Sequence, residues 1–310
     1  MRFFVWSILI LAMLLGVLAW IVLRPNEEPL PTAVAGTLVF VSDRDGVDSL
    51  YSRRLPKGED RRLTFLNEPV REPAVSPDGR MAAFSMGGRI GVVFLGSGDV
   101  RFLTLGVDWQ DASPSWRPDG RALVVASRRP GDANADLHLL LDLDAGPGQV
   151  ERRSLTLSAG LDEETPVFGP DGAYVVFIRQ DNVARIDLAD GRARRITGGF
   201  RRMREPRFLP SGRLVALWTL EKQYGLDVMD ADGKNRETLS LGSTYYRTLR
   251  PSPDGRFFAA TYTFDLGFHL AEALRLRPTE EVRLLDASGR PVAALARSWR
   301  HASHSPDWGR

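Results

Sequence analysis

Apolar residues fall along this chain in two unlike patterns. From Phe3 to Leu23 they form one run, FFVWSILILAMLLGVLAWIVL, 21 positions without a charge. From Gly36 onward they come as short blocks, such as Leu38 to Val41, Leu123 to Ala126 and Tyr174 to Ile178, separated by clusters of Pro, Asp and Gly. As a helix the first run reaches about 30 Å, the thickness of a bilayer's hydrocarbon core. The short blocks read as strands covered on both faces.

The blocks repeat. SPDGRMAAFS (76 to 85), RPDGRALVVAS (117 to 127), GPDGAYVVFI (169 to 178), LPSGRLVALW (209 to 218) and SPDGRFFAATY (252 to 262) each join a turn to an apolar strand, and Ser305-Pro306-Asp307-Trp308-Gly309-Arg310 reads as a sixth copy. In these turns Pro fixes one corner and Gly takes a positive φ. The prolines at 77, 118, 170, 210, 253 and 306 are spaced 41, 52, 40, 43 and 53 apart, the period of propeller blades.

Each unit holds the parts of a four-stranded antiparallel blade. A short segment precedes the turn, as in Ser113-Pro114-Ser115-Trp116 and Glu205-Pro206-Arg207-Phe208. Third strands read SLYSRRL, RIGVVFL, DLHLLLDL, NVARIDL, GLDVMD and EVRLLD, each ending in a Gly-containing hairpin. Fourth strands read RRLTF, RFLTL, RRSLTL, RRIT, RETLSL and PVAALA. The body begins inside a unit, with GTLVFVS at Gly36 to Ser42, and ends on a lone first strand, His301 to Pro306. The pattern therefore predicts an all-β fold, a six-bladed propeller over residues 36 to 310, its ring closed by the C-terminal strand so that no closing edge is left open.

The apolar run before it is expected to be an uncleaved transmembrane anchor, residues 1 to 24. Its length spans a bilayer, and the small-residue pattern Ala33-Val34-Ala35 lies too far downstream for a signal peptidase. Trp6 and Trp20 suit the two interfacial belts. Arg2 lies on one side, Arg24 with Glu27 and Glu28 on the other, which mildly favours the amino terminus inside and the propeller in the periplasm or otherwise outside the cytoplasm. Residues 25 to 35, with Pro25, Pro29 and Pro31, read as a tether.

Composition narrows the chemistry. There is no cysteine, which excludes disulfides and thiolate sites. Setting aside Arg2 and Arg24, the 41 basic residues become 39, against 39 acidic ones, so the body has no general pull toward nucleic acid.

The phrase Ser113-Pro114-Ser115-Trp116-Arg117-Pro118-Asp119-Gly120 and hairpins such as Asp230-Ala231-Asp232-Gly233 resemble the TolB-like, WD-related propeller repeats. These occur in the periplasmic protein TolB and in the propellers of prolyl oligopeptidase-type enzymes. The resemblance covers about residues 36 to 310 and implies the fold, while superfolds host many activities. TolB-type proteins place a small α/β domain before the propeller, where this chain has an anchor and a tether. Oligopeptidase-type proteins add a hydrolase domain after it, whereas this chain ends at Arg310. The fourth copy has Ser211 in place of Asp, and the last carries Trp308 inside its turn.

Candidate chemistry is sparse. No G-x-S-x-G nucleophile elbow occurs. His301, His304 and Asp307 form one cluster of metal-like composition, but positions three apart on a strand point to opposite faces. Asp43-Arg44-Asp45-Gly46-Val47-Asp48 resembles a piece of a calcium loop without its later Glu. The repeated Asp of Pro-Asp-Gly reads as a turn cap. No cofactor, metal or catalytic residue is assigned.

Two insertions interrupt the period. Arg128 to Asp136 reads as a long hairpin loop. Asp265 to Arg277, DLGFHLAEALRLR, has helical spacing and is ended by Pro278. Phe268, Leu270 and Leu274 on it are candidate partner-docking residues. The expected function is therefore binding: a membrane-anchored propeller that engages protein partners as a scaffold or accessory subunit of a membrane complex. The alternatives are an enzyme, a lyase or hydrolase with its site at the funnel, or a ligand sensor there.

Overall fold

Five Pro-x-Gly phrases and one closing strand accompany six four-stranded sheets around one axis. The computed structural model describes residues 13, 29–158, 160–263, 280–296 and 301–309. Blade 1 holds β1 (Gly36–Ser42), β2 (Ser49–Leu55) and β3 (Arg61–Arg62), and blade 2 holds β4 (Arg71–Val75), β5 (Met81–Met86), β6 (Arg89–Phe94) and β7 (Val100–Phe102). Blade 3 comprises β8 (Gln110–Trp116), β9 (Leu123–Arg128), β10 (Asp136–Leu141) and β11 (Glu151–Ser154). In blade 4 come β12 (Glu163–Phe168), β13 (Tyr174–Arg179), β14 (Asn182–Asp187) and β15 (Ala193–Arg195). Blade 5 has β16 (Arg202–Phe208), β17 (Leu214–Leu220), β18 (Gln223–Met229) and β19 (Glu237–Gly242), and blade 6 has β20 (Tyr246–Pro251), β21 (Phe257–Thr263), β22 (Glu280–Asp286) and β23 (Pro291–Ala296).

The last strand, β24 (Ser303–Gly309), is the innermost strand of blade 1, where it pairs antiparallel with β1 from Thr37↔Gly309 to Ser42↔Ser303. The ring is thus closed by the chain's end. One boundary differs from the sequence reading: Pro306-Asp307-Trp308-Gly309 is strand, not a sixth turn. Ser305-Pro306-Asp307-Trp308 takes the place of Ser113-Pro114-Ser115-Trp116, so a chance Pro-Asp pair resembles a turn that the chain does not make.

The five true turns are built alike. The N–H of Gly79, Gly120, Gly172, Gly212 and Gly255 each bonds back three residues, and each glycine has φ between 68° and 81°. Carboxylates of Asp78, Asp119, Asp171 and Asp254 accept the N–H two residues on, at 2.9–3.1 Å, and Ser211 does so more weakly at 3.5 Å. The carboxylate of Asp78 is held below the usual range chiefly by the hydroxyl of Ser76. These aspartates are caps.

The fourth strands of blades 1 to 4 are shorter than the sequence suggests. The Thr of each Leu-Thr or Ile-Thr pair explains why: Thr64, Thr104, Thr156 and Thr197 accept the N–H of Leu50, Ile90, Leu137 and Val183 through their hydroxyls at 2.8–2.9 Å. A side chain replaces the ladder there, and the main chain leaves for the next blade.

The core is six apolar layers, each between neighbouring blades. Phe40, Phe84, Phe177 and Phe258 are buried in second strands, each worth about 2–3 kcal/mol relative to exposure. The end of the expected tether joins this core: Val34 is 1% exposed, Leu30 packs beside it, and Trp308 donates its indole N–H to the Ala35 carbonyl at 3.0 Å. Gly36, at φ 115°, lies so close to Gly309 and Trp308 that a Cβ would meet the Gly309 carbonyl at 2.5 Å.

Among the described residues no helix is long and apolar enough to cross a membrane. The expected anchor with Trp6 and Trp20, and the insertion with Phe268, Leu270 and Leu274, lie outside the described residues.

Candidate functional site

Five innermost strands break their ladder at the same place, Glu72-Pro73, Ser113-Pro114, Thr165-Pro166, Glu205-Pro206 and Ser305-Pro306. Proline has no N–H for the ladder and bars its predecessor from right-handed helical backbone, so the pair leaves as a bulge. The residue before each proline is left-handed, with φ between 46° and 52°. Blade 6 offers Thr248 at this position, without a proline.

Three tiers of side chains consequently face the axis. At one mouth a cavity of about 600 Å³ is lined by Arg71, Ala112, Glu164, Arg247 and His304, one from each of five blades, with Glu68 from a connecting loop and Gln110 and Arg128 from strand ends of blade 3. Deeper, a second cavity of about 450 Å³ takes all six bulge positions and the tier beyond them, Ala74, Ser115, Val167, Arg207, Arg250 and Asp307.

The deeper tiers are stitched across blade seams. Glu72 of blade 2 accepts the N–H and hydroxyl of Ser113 in blade 3 at 2.8 and 2.9 Å. Trp116 donates its indole N–H to Ala74 at 2.8 Å, and Asp307 of blade 1 accepts the N–H of Val75 in blade 2 at 2.5 Å. Arg250 of blade 6 reaches Glu205 of blade 5 at 2.5 Å and Asp307 at 3.5 Å. Around blade 4 this belt is interrupted: Val167 holds the place of a charge, and the buried hydroxyl of Thr165 has no partner among the described residues.

Electrostatics follow from that crowding. Burial and the neighbouring Arg250 guanidinium push Arg207 down to about 10, although its side chain keeps 18% of its surface, which faces the channel. Glu205 is pushed upward by burial, but Arg250 and Arg207 outweigh this and hold its carboxyl below the usual range. At the mouth, burial and the adjoining Asp162 raise Glu164. Arg207 and Arg250 face Glu205 and Asp307, while Glu72, bonded to Ser85 and Ser113, adds a third carboxylate to the belt.

The residues singled out from the sequence are separated by the fold. His304 lies on β24, 3.6 Å from Asp48, while His301 precedes the strand. Asp43 accepts the N–H of Ala302 at 2.7 Å, Asp45 faces Arg62 and accepts the Tyr51 hydroxyl, and Asp48 faces His304, so the three carboxylates of the calcium-like stretch serve separate partners. No group of three metal-ligating side chains occurs among the described residues.

Ser305, His304 and Asp48 do stand in a row, the hydroxyl 3.0 Å from the imidazole Nδ1. Yet Ser113 has the same left-handed backbone and bonds Glu72 instead, and the Ser305 N–H is given to Thr261 at 2.9 Å. The strained serine belongs to the repeat rather than to a nucleophile elbow.

A feature missed from the sequence lies on the rim of the wide mouth. Phe65, Leu105, Val107, Leu157 and Phe200 are 74, 56, 70, 85 and 95% exposed. All sit in the connections from an outermost strand to the next innermost strand, on blades 1 to 4 in succession. The signal was the residue just after Leu-Thr in RRLTF, RFLTL and RRSLTL, which a period-two strand reading conceals. The chain's entry into the ring is on the other face, where Arg256 of the fifth turn bonds the Ala33 carbonyl at 3.1 Å.

The fold and its stitched channel define a six-bladed β-propeller. A TolB homologue from Chlorobium luteolum is 30% identical over 163 residues, 51% of this chain and 35% of that protein. The solved structure of TolB from Acinetobacter baumannii superposes with a TM-score of 0.70 at 18% identity, over 89% of this chain and 67% of that one. An oligogalacturonate lyase in complex with manganese shares the fold at TM-score 0.60 and 16% identity, over 84% of this chain and 74% of the lyase. No known family's sequence profile matches the chain. The chain is similar to the TolB-like β-propellers, and it spans about a third of the length of the curated TolB homologues it matches.

Proposed function

We propose that this chain is a non-enzymatic envelope propeller that recruits protein partners through the apolar rim of its wide mouth, held at a membrane by its N-terminal segment. The observation that carries this reading is the run of exposed apolar side chains at related positions on four consecutive blades. Scattered exposed hydrophobics are ordinary, whereas their recurrence in the same connection of four successive blades supports an interaction surface. Likeness to TolB supports a protein-binding role in the periplasm.

Orientation supports the same reading. Residues 33–35 enter the ring on the turn face. With residues 3 to 23 in a bilayer, the rim points away from the membrane, toward partners in the surrounding space, and the tether raises the effective concentration toward neighbours in the same membrane. The test is capture from the native envelope after cross-linking, comparing the wild-type chain with a Phe65→Asp, Leu157→Asp, Phe200→Asp variant. The variant should keep its melting temperature and lose the chains that co-purify with wild type; equal recovery of those chains would overturn the proposal.

A further inference from the structure

Most outer edges of the propeller are blunted. The outermost strands of blades 1 to 4 have two, three, four and three residues. Blade 6 ends in the six-residue β23, but that strand begins with Pro291, buries Ala293, Leu295 and Ala296 against blade 1, and gives the Leu295 carbonyl to Arg53 at 2.8 Å. Blade 5 differs. Its outermost strand β19, ETLSLG, has six residues, with Glu237, Thr238, Ser240 and Gly242 exposed, and no strand among the described residues pairs with its outer edge. Natural sheets protect such edges with lysine, proline or brevity, and β19 uses none of these.

The two faces beside that edge are chemically distinct. Leu239 and Leu241 are half-buried on the apolar layer shared with blade 6. Thr238 lies beside Asp227, which is fully buried and holds both Arg201, at 3.1 Å, and Arg236. Two guanidiniums on one carboxylate leave one positive charge in excess. The neighbouring blade repeats the imbalance, Asp187 facing both Arg185 and Arg194. A strand added along β19 meets apolar surface on one side and surplus guanidinium on the other.

We propose that β19 receives an extended segment of the partner as a fifth strand of blade 5, a segment in which apolar side chains alternate with carboxylates. Main-chain hydrogen bonds supply its affinity and the alternation its specificity. The inference rests on the partner-binding reading above and adds the chemistry of the partner's contact. Pairing of two β19 edges from two copies of this chain is the competing occupant, and the oligomeric state of the full-length chain distinguishes it.

The test uses the full-length chain in detergent micelles and a fluorescein-labelled octapeptide of alternating Asp and Val, read by anisotropy. It should bind at least tenfold more tightly than the alternating Lys and Val peptide. N-methylation of one alternate set of its amides should abolish binding while the other set is tolerated, because only one edge of the peptide faces β19. Ser240→Pro should weaken binding at an unchanged melting temperature, and Arg201→Gln should narrow the gap between the Asp and Lys peptides. Equal binding of the two peptides, or indifference to both methylation patterns, overturns the proposal. So does a wild-type dimer that Ser240→Pro makes monomeric. Failure here with rim variants still losing their co-purified chains would remove the strand and leave the rim reading standing.

Discussion

The two faces of this ring are made by the same repeat and differ in almost everything else. On the turn face, five glycines take nearly the same φ and five side chains cap nearly the same N–H. On the rim face, the connections between blades vary in length once past the threonine that begins four of them, and expose Phe65, Leu105, Val107, Leu157 and Phe200. Residues that recur are spent on building the fold; residues that recur in position but stand in water have no such occupation. Consistency of local choices with the fold is what makes a sequence foldable, and departures from it are where function is sought.

The harshest way to break the comparison is to remove what both faces depend on. Deleting Ser303 to Arg310 strips blade 1 of its innermost strand, exposes the edge of β1 and removes Asp307 and Trp308 from two seams. The truncated chain should lose cooperative unfolding or melt more than 10 °C lower, roughly the effect of several kcal/mol in a chain of this size. An unchanged calorimetric transition would show that the ring does not need its closure.

A smaller loss is expected inside the channel. Glu205→Ala leaves Arg207 and Arg250 facing each other with one carboxylate fewer, which should cost about 3–5 kcal/mol by denaturant unfolding. The pH dependence has a definite sign. The folded state holds the Glu205 carboxyl below its unfolded value, so its contribution is present above the unfolded pKa, about 4.3, and is lost as pH falls through the folded one. Glu205→Gln should therefore flatten the acid limb of the stability curve, and an identical acid limb in wild type and variant would count against the ion-pair belt.

These two predictions rest on parts of unequal legibility. The repeat was readable because Pro-Asp-Gly and Pro-Ser-Gly turns are local chemistry, and five of them at blade period fix the strand order around them. The channel was less so. Glu72, Ser113, Thr165, Glu205 and Ser305 each look like an unremarkable residue before a proline, and only the closed ring brings them into one belt. The last phrase misled for a physical reason: Pro306-Asp307 satisfies the rule for a turn start, while Trp308 and the left-handed Ser305 obey the rule for an inner strand, and pairing with β1 decides between them. The rim was hidden because Leu-Thr-Phe reads as strand until the threonine hydroxyl takes the ladder's place.

On the turn face a single cap should cost little. Asp78→Ala removes the acceptor for the Ser76 hydroxyl and the Arg80 N–H, two bonds at a half-exposed carboxylate, and should destabilise by about 1 kcal/mol. Asp78→Asn keeps an acceptor oxygen and should recover part of it. If both variants melt like wild type, the recurring aspartate is kept for something other than the turn, and the two faces are not divided between scaffold and function.

The smallest stability effect is expected where the functional effect is largest. Phe200 stands 95% exposed in the link between blades 4 and 5, so Phe200→Ser gives up almost no buried area and should change stability by less than about 0.5 kcal/mol. Replacing an aromatic at the centre of a protein contact commonly costs about 2 kcal/mol or more of binding, roughly thirtyfold in affinity. Wild type and variant should thus give superimposable thermal melts and clearly different partner recovery. A variant that melts lower would mean that Phe200 packs on its own ring, and the rim would then join the turn face as part of the scaffold.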